Sequence, residues 1–209
     1  MKTTNDMRKD FFNQRAEQWL DTFYKDPISG TYSRYGKEFK RLFNAIALKE
    51  GDHVLDVGCG SGVLVPFILE KVGPNGVLSE LDYAPEMIRE NKKLHRDNRI
   101  KFLIQDLLDF NYPENSFDAV ICFACFPHFE DKGRAMTIMS SVLKNKGTLA
   151  IAHMDSSHNI NDRHRKSPEV MHDFIPAKQT MYKLCRQNKL SITQFIDEEG
   201  FYLLLAEKE

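Results

Sequence analysis

At 209 residues, 42% of them hydrophobic and 28% charged, the chain is long enough to bury about 70% of its unfolded surface without a disulfide or metal staple. A formal net charge of -1 argues against a dedicated nucleic-acid binder, which carries a basic face. The 4 cysteines are scattered, which fits reduced thiols in the cytoplasm better than a disulfide framework. The polar N-terminus lacks a signal-peptide core, and no apolar run is long enough for a membrane span.

In chain order, apolar residues at helical spacing predict an amphipathic helix over 7–20, with Phe11, Phe12, Ala16, Trp19 and Leu20 on one face. That face could pair with a second chain to give a homodimer. A loop over 25–36 follows, then a second helix over 37–48. From residue 53 the pattern alternates. Strands are predicted at 53–57, 77–81, 100–104, 117–123 and 147–153, with helices at 62–71, 84–94 and 132–143. Such alternation builds βαβ units and a mostly parallel sheet. The tail departs from it: two β-rich runs, 190–197 and 201–207, are separated by three residues ending in Gly200 and read as an antiparallel hairpin. The expected architecture is a single α/β domain over 1–209. It comprises a helical lid (1–48), a core (49–155), a substrate-side insertion (156–189) and a C-terminal hairpin (190–209).

The sharpest motif is Val54-Leu55-Asp56-Val57-Gly58-Cys59-Gly60-Ser61-Gly62, a strand running into a glycine turn. Glycines there let the backbone turn tightly and approach a ligand where a Cβ would intrude. The third glycine of the dinucleotide fingerprint is replaced by Val63. Asp56, two residues before the first glycine, would repel a pyrophosphate and suits a ligand bearing an ammonium group. Asp82, at the end of the second strand, lies where a carboxylate accepts hydrogen bonds from ribose hydroxyls. Asp106 closes the third strand, within reach of an adenine amino group.

These residues, with GPNGVLSELDYAPEM (73–87), Gln105–Asp106, the Asn115–Asp118 turn and LKNKGTLAIAH (143–153), resemble a class I S-adenosylmethionine-dependent methyltransferase. The likeness is to the group holding the ubiquinone and menaquinone C-methyltransferases. The resemblance implies a Rossmann-like three-layer sandwich on a seven-stranded, mostly parallel sheet with a C-terminal antiparallel hairpin. It also implies S-adenosyl-L-methionine as cofactor, S-adenosyl-L-homocysteine as product, and contacts from Asp56, Gly58, Gly60, Asp82, Tyr83, Met87, Asp106, Leu107 and Cys122. One departure is Asn145-Lys146-Gly147 in place of the usual glycine pair. A nicotinamide-binding Rossmann-like protein, or a non-catalytic binder of S-adenosylmethionine, is the alternative.

Methyl transfer from a sulfonium asks mainly for positioning, so no catalytic triad is expected. His128 after the fourth strand and His153 at the end of the fifth are the catalytic candidates, with packing or gating as the other reading of His128. His153, His158, His164 and His172 raise a metal site, but their spacing matches no ligand pair and a solvated loop is favoured. Trp19, Phe23, Tyr24, Tyr32 and Tyr35 would pack the N-terminal helix or stack on a planar acceptor, with Tyr32 and Tyr35 favoured for the site. Cys122 and Cys125 form a C-x-x-C after a buried strand, where small buried hydrophobes are favoured over redox chemistry. The acceptor is read as a small molecule whose identity the sequence leaves open.

Overall fold

The computed structural model describes residues 4–209. Its elements are α1 (Thr4–Arg15), α2 (Trp19–Phe23), α3 (Gly36–Ala45), β1 (His53–Val57), α4 (Val65–Val72), β2 (Val77–Asp82), α5 (Pro85–Leu94), β3 (Ile100–Ile104), β4 (Phe117–Phe123), α6 (Lys132–Val142), β5 (Leu143–His153), α7 (Ser157–Arg165), α8 (Lys178–Gln187), β6 (Leu190–Glu198) and β7 (Phe201–Lys208). The 7-stranded sheet has the order β3-β2-β1-β4-β5-β7-β6. β1 to β5 run parallel, and β7 is antiparallel to both β5 and β6. The strand order reverses direction between β1 and β4, the position at which open α/β sheets bind ligands.

Side chains alternate along each strand, so both faces of the sheet must be covered. On β4, Val120 and Cys122 join a core completed by Met136 and Met139 of α6 and by Met181 and Cys185 of α8. Ala119, Ile121 and Phe123 point the other way, into a core with Phe39, Leu42 and Phe43 of α3 and Ile68 of α4. β7 divides likewise, Tyr202 and Leu204 to the first face, Phe201 and Leu203 to the second. The result is the three-layer sandwich expected from sequence.

Local differences have local causes. The helix expected from residue 62 begins at Val65, because Gly62 at φ 84 still belongs to the turn. The helix expected over 37–48 ends at Ala45, where Ile46 turns extended at ψ 119. Two helices fall in the segment read as an insertion. α7 starts where the Ser156 side chain accepts from Asn159 N at 3.2 Å, a side-chain cap. α8 buries Met181 and Cys185, one turn apart, against the sheet. The 156–189 segment is therefore divided: α7 and the turn after it face the site, and α8 belongs to the core.

Asp56 and Glu80 are register partners on β1 and β2 and are almost fully buried. Among the described residues none donates to either Asp56 oxygen, while Glu80 Oε2 accepts from Asn91 Nδ2 at 2.5 Å. Two facing buried carboxyls are stable when a proton is held between them. Burial pushes both well above the ordinary carboxylate range, and for Asp56 the charge of Glu80 adds to it. An unfolded glutamate ionises near about pH 4.3, so stability falls as pH rises from there toward the raised folded value. Glu80→Gln cannot ionise and keeps the same shape. Thermal melts of the ligand-free protein should show its Tm matching wild type near about pH 4.5 and exceeding it by roughly 5 °C near about pH 8.5. A pH-independent difference would show that Glu80 does not hold the proton.

Candidate functional site

The turn after β1 is shaped by two approaches that leave no room for a side chain. A Cβ on Gly58 would lie 2.6 Å from Cys125 Cβ, and one on Gly62 would lie 2.3 Å from Asn91 Oδ1. Both glycines also have positive φ, at 66 and 84. The backbone N–H groups of Gly58 and Cys59 donate to Leu81 O at 2.8 and 3.1 Å. Asp82 completes the anchoring, its Oδ2 accepting from Gly60 N at 2.9 Å and its Oδ1 from Ala84 N at 2.8 Å. Burial raises the Asp82 carboxyl to about 6 against the pull of those donors, and a partner donating hydrogen bonds or positive charge would lower it again. Asp106 is held similarly, by Leu108 N at 2.9 Å and by Asn5 Nδ2 of α1 at 3.1 Å.

These strand ends line an open cavity of about 970 Å³, solvent at its opening included. Its wall includes Gly58, Gly60, Asp82, Tyr83, Met87, Asp106, Leu107 and His128. A second cavity of about 1020 Å³ lies beside it, lined by aromatic rings together with His153, Arg163 and His164. Phe12, Trp19, Tyr24, Phe123, Ala124 and His128 belong to both walls. Ala124 sits just past β4 with φ 55, a conformation unfavourable for a side chain with a Cβ. It is secured by its N–H donating to Ala152 O at 2.9 Å.

The roof is α1. Phe12 packs edge-on to Trp19, Tyr83 and His128 at ring separations of 5.5, 6.3 and 5.3 Å. Asn13 Oδ1 accepts from Glu86 N at the start of α5. Arg8 is buried and donates twice to Asp173, at 2.9 and 2.7 Å. The face of α1 read from sequence as one that could meet a second chain thus covers the cavities. Asp173 Oδ2 also bonds His128 Nδ1 at 2.7 Å, and its backbone carbonyl bonds His164 Nδ1 at 2.5 Å. His153 is buried, its Nε2 without a hydrogen-bond partner among the described residues, and burial lowers it to about 3, so its ring is neutral.

Eight of the residues read from sequence thus share one wall, and three others lie elsewhere. Asp56 lies beneath the glycine turn against Glu80 and does not line the cavity. Cys122 is fully buried in the core, and its neighbour Cys125 takes the cavity position instead, its Sγ 3.1 Å from that of Cys122 and donating to Val57 O. His153 lines the second cavity only. Of the loop tyrosines, Tyr35 lines the second cavity, whereas Tyr32 is exposed and donates to Asp21. His158 and His172 are exposed and line neither cavity. Arg8 and Asn5 were not picked out from sequence, and Asp173 only as an acid near the histidines weighed as a metal site. A lone arginine or asparagine in a polar helix carries no local signal of its partner, and Arg8 and Asp173 are 165 positions apart.

The first cavity suits a cationic nucleoside. Acids close β2 and β3, the sulfur of Met87 and the side chain of Leu107 offer an apolar slot, and Gly60 leaves its backbone bare beside Trp19 and Met87. Residues 48–207 match the family described as "Methyltransferase domain". The chain is 32% identical over 133 residues to aklanonic acid methyltransferase DauC of Streptomyces sp. (strain C5), covering 60% of each protein. It is 27% identical over 192 residues to a malonyl-[acyl-carrier protein] O-methyltransferase of Acetivibrio thermocellus, covering 85% of this chain and 66% of that one. The chain spans about half to two thirds of the length of the first curated relatives it matches. A SAM-dependent methyltransferase from Aquifex aeolicus superposes with a TM-score of 0.71 at 19% identity, over 93% of this chain and 97% of that one, a likeness of fold. Family match, sheet order and the acids at the strand ends agree, and the chain belongs to the class I S-adenosylmethionine-dependent methyltransferases.

Proposed function

We propose that this chain transfers the methyl group of S-adenosylmethionine to a small-molecule acceptor bound in the second cavity. The observation that carries the reading is the wall common to both cavities, which puts a cofactor-sized space and an aromatic-lined space on either side of His128 and Trp19. Asp82 would hold the ribose hydroxyls, Asp106 with Leu107 and Met87 the adenine, and the Gly58–Gly60 backbone the amino-acid end. The bound cofactor supplies an activated methyl on a sulfonium that leaves as a neutral sulfide.

The chain's own work is placement. Phe12 and the ring of Trp19 exclude water from the junction, and the aromatic wall orients a flat, largely apolar acceptor. Holding two reactants in line is worth roughly 7–11 kcal/mol of barrier. The buried acids contribute electrostatically: Asp82 lines the cavity and Asp56 with Glu80 lies just behind the turn, a setting that favours a cation. A small acceptor is in keeping with aklanonic acid, named for the DauC relative. All four cysteines are free thiols, which supports a reducing, cytoplasmic setting. No helix among the described residues is long and apolar enough to cross a membrane.

Calorimetry with S-adenosylmethionine and S-adenosylhomocysteine tests the cofactor directly. Both should bind, and Asp82→Ala should weaken each by at least about tenfold, the loss of one or two hydrogen bonds from a carboxylate. Absence of binding in a folded wild-type protein would remove the reading.

Trp19 is the 1 tryptophan of the chain and lines both cavities. Its fluorescence should change in intensity and wavelength as S-adenosylhomocysteine is titrated in, with the midpoint of the calorimetric isotherm. A signal indifferent to saturating ligand would place the bound molecule away from the shared wall.

A further inference from the structure

Among the described residues, the shared wall contains two side chains with a dissociable proton, Tyr24 and His128. Burial pushes the Tyr24 phenol far above its ordinary value, with the neighbouring Tyr35 and Asp56 adding to it, so it keeps its proton at neutral pH. His128 is differently placed. Its side chain is 17% exposed and meets the Asp173 carboxylate, itself 5% exposed, at 2.7 Å. Burial pushes Asp173 up, but the hydrogen bond and charge of His128 and the charge of Arg8 outweigh it and hold the carboxyl below its usual range.

That fixes the tautomer of His128. An ionised carboxylate can only accept, so the proton between them belongs to Nδ1, and the neutral ring is left with a bare Nε2. No described residue donates to that Nε2. His164 is constrained in the same way, because the Asp173 carbonyl that bonds its Nδ1 is also only an acceptor. Its ring lies 5.2 Å from that of His128. One residue thus sets the orientation of two imidazoles at the mouth of the second cavity.

We propose that Arg8, Asp173 and His128 form a relay that makes His128 Nε2 the general base for a hydroxyl acceptor of phenolic or enolic type. This rests on the methyl-transfer reading above and narrows its acceptor. In the step, the acceptor O–H bond breaks and its proton goes to Nε2. The oxygen's electron pair forms the new O–C bond while the C–S bond breaks and leaves its pair on sulfur. His128 ends as an imidazolium paired with Asp173, and its proton later passes to water. A phenol keeps its proton at neutral pH, with a pKa of about 10, and so needs a base; a carboxylate acceptor would not. Asp173 and Arg8 are positioning residues. Arg8 stands on α1, so the relay is complete only with α1 seated over the site.

The charged and titratable groups facing His128 are Asp173, Arg8, His164, His153 and, from α6, Lys132, whose Nζ is held by the carbonyls of Pro127 and Phe129. Asp173 is the negative group in contact with His128, while Glu130, two residues along, and Asp82 and Asp106 line the first cavity with it.

The test pairs spectroscopy with turnover. In histidine-labelled protein saturated with S-adenosylhomocysteine, nitrogen NMR should show His128 protonated on Nδ1 and bare on Nε2. In Asp173→Asn the amide oxygen takes the place where Arg8 Nε and His128 Nδ1 meet one oxygen, so the proton should stay on Nδ1 while the imidazolium loses its paired negative charge. With methyl-labelled S-adenosylmethionine and a panel of phenols, enols, aryl amines and aryl thiols, transfer should fall on the hydroxyl compounds. In Asp173→Asn kcat should fall about 100-fold or more at neutral pH, with KM within about threefold. Wild-type His128 protonated on Nε2 overturns the relay with no variant needed. So does Asp173→Asn turning over within about threefold of wild type, or transfer confined to amines and thiols. Binding of S-adenosylhomocysteine is measured in every sample: its loss in wild type would strike the methyl-transfer reading, whereas retained binding with unchanged kcat strikes the relay alone.

Discussion

The structure depends on how closely the turn after β1 approaches its neighbours. Gly58 lies against Cys125 and Gly62 against Asn91, at separations that no residue with a Cβ could accept. That contact sets where β4 can end, because Cys125 belongs to the segment leaving it, and where α5 can lie, because Asn91 belongs to α5. Asp82 then ties the turn to the end of β2 through Gly60 N. The cavity is thus bounded by strand ends held by close packing against the turn and by the hydrogen bonds to Asp82, the rigidity a positioning catalyst requires.

Behind that turn the electrostatics run in one direction. Asp56, Glu80 and Asp82 are all buried, and among the described residues no lysine or arginine pairs with any of them. Without a cation the group is relieved by keeping protons, which is why burial holds these carboxyls above their ordinary range. A positively charged ligand would supply the missing charge. The same three acids therefore weaken the empty fold at high pH and favour a cationic occupant. Asp56 contributes to that field from beneath the turn, not by the direct contact its sequence position suggested.

The sequence was legible where structure is set by local pattern. Seven strands follow from runs such as Phe117–Phe123 and Phe201–Lys208, which alternate between two buried faces, and the glycine spacing located one edge of the first cavity. It was not legible where an element is polar along most of its length. α7 buries Ile160 alone, and α8 buries Met181 and Cys185 among lysines, glutamine and arginine. Both helices are determined by what they pack on, which propensity does not report. The roof over the site was legible as an aromatic helix, but its partners were not. The ring of Phe12 meets Tyr83 and His128, and Asn5 reaches Asp106, across separations that no periodicity encodes.

The Arg8–Asp173 pair belongs to that illegible set, and its energetics bear on its purpose. Both side chains are at most 5% exposed, so each lost its hydration on folding. Replacing a buried ion pair with apolar residues of equal volume is often neutral or stabilising by about 1–4 kcal/mol. The same two sites filled by leucine and methionine would join α1 to the turn before Ile175 at least as firmly. What apolar residues would lose is the third interaction, the acceptor for His128 Nδ1. A charged pair is retained here because its negative partner has a second task, and that task faces the junction of the two cavities. Stability alone gives no reason for a guanidinium at position 8; orienting an imidazole does.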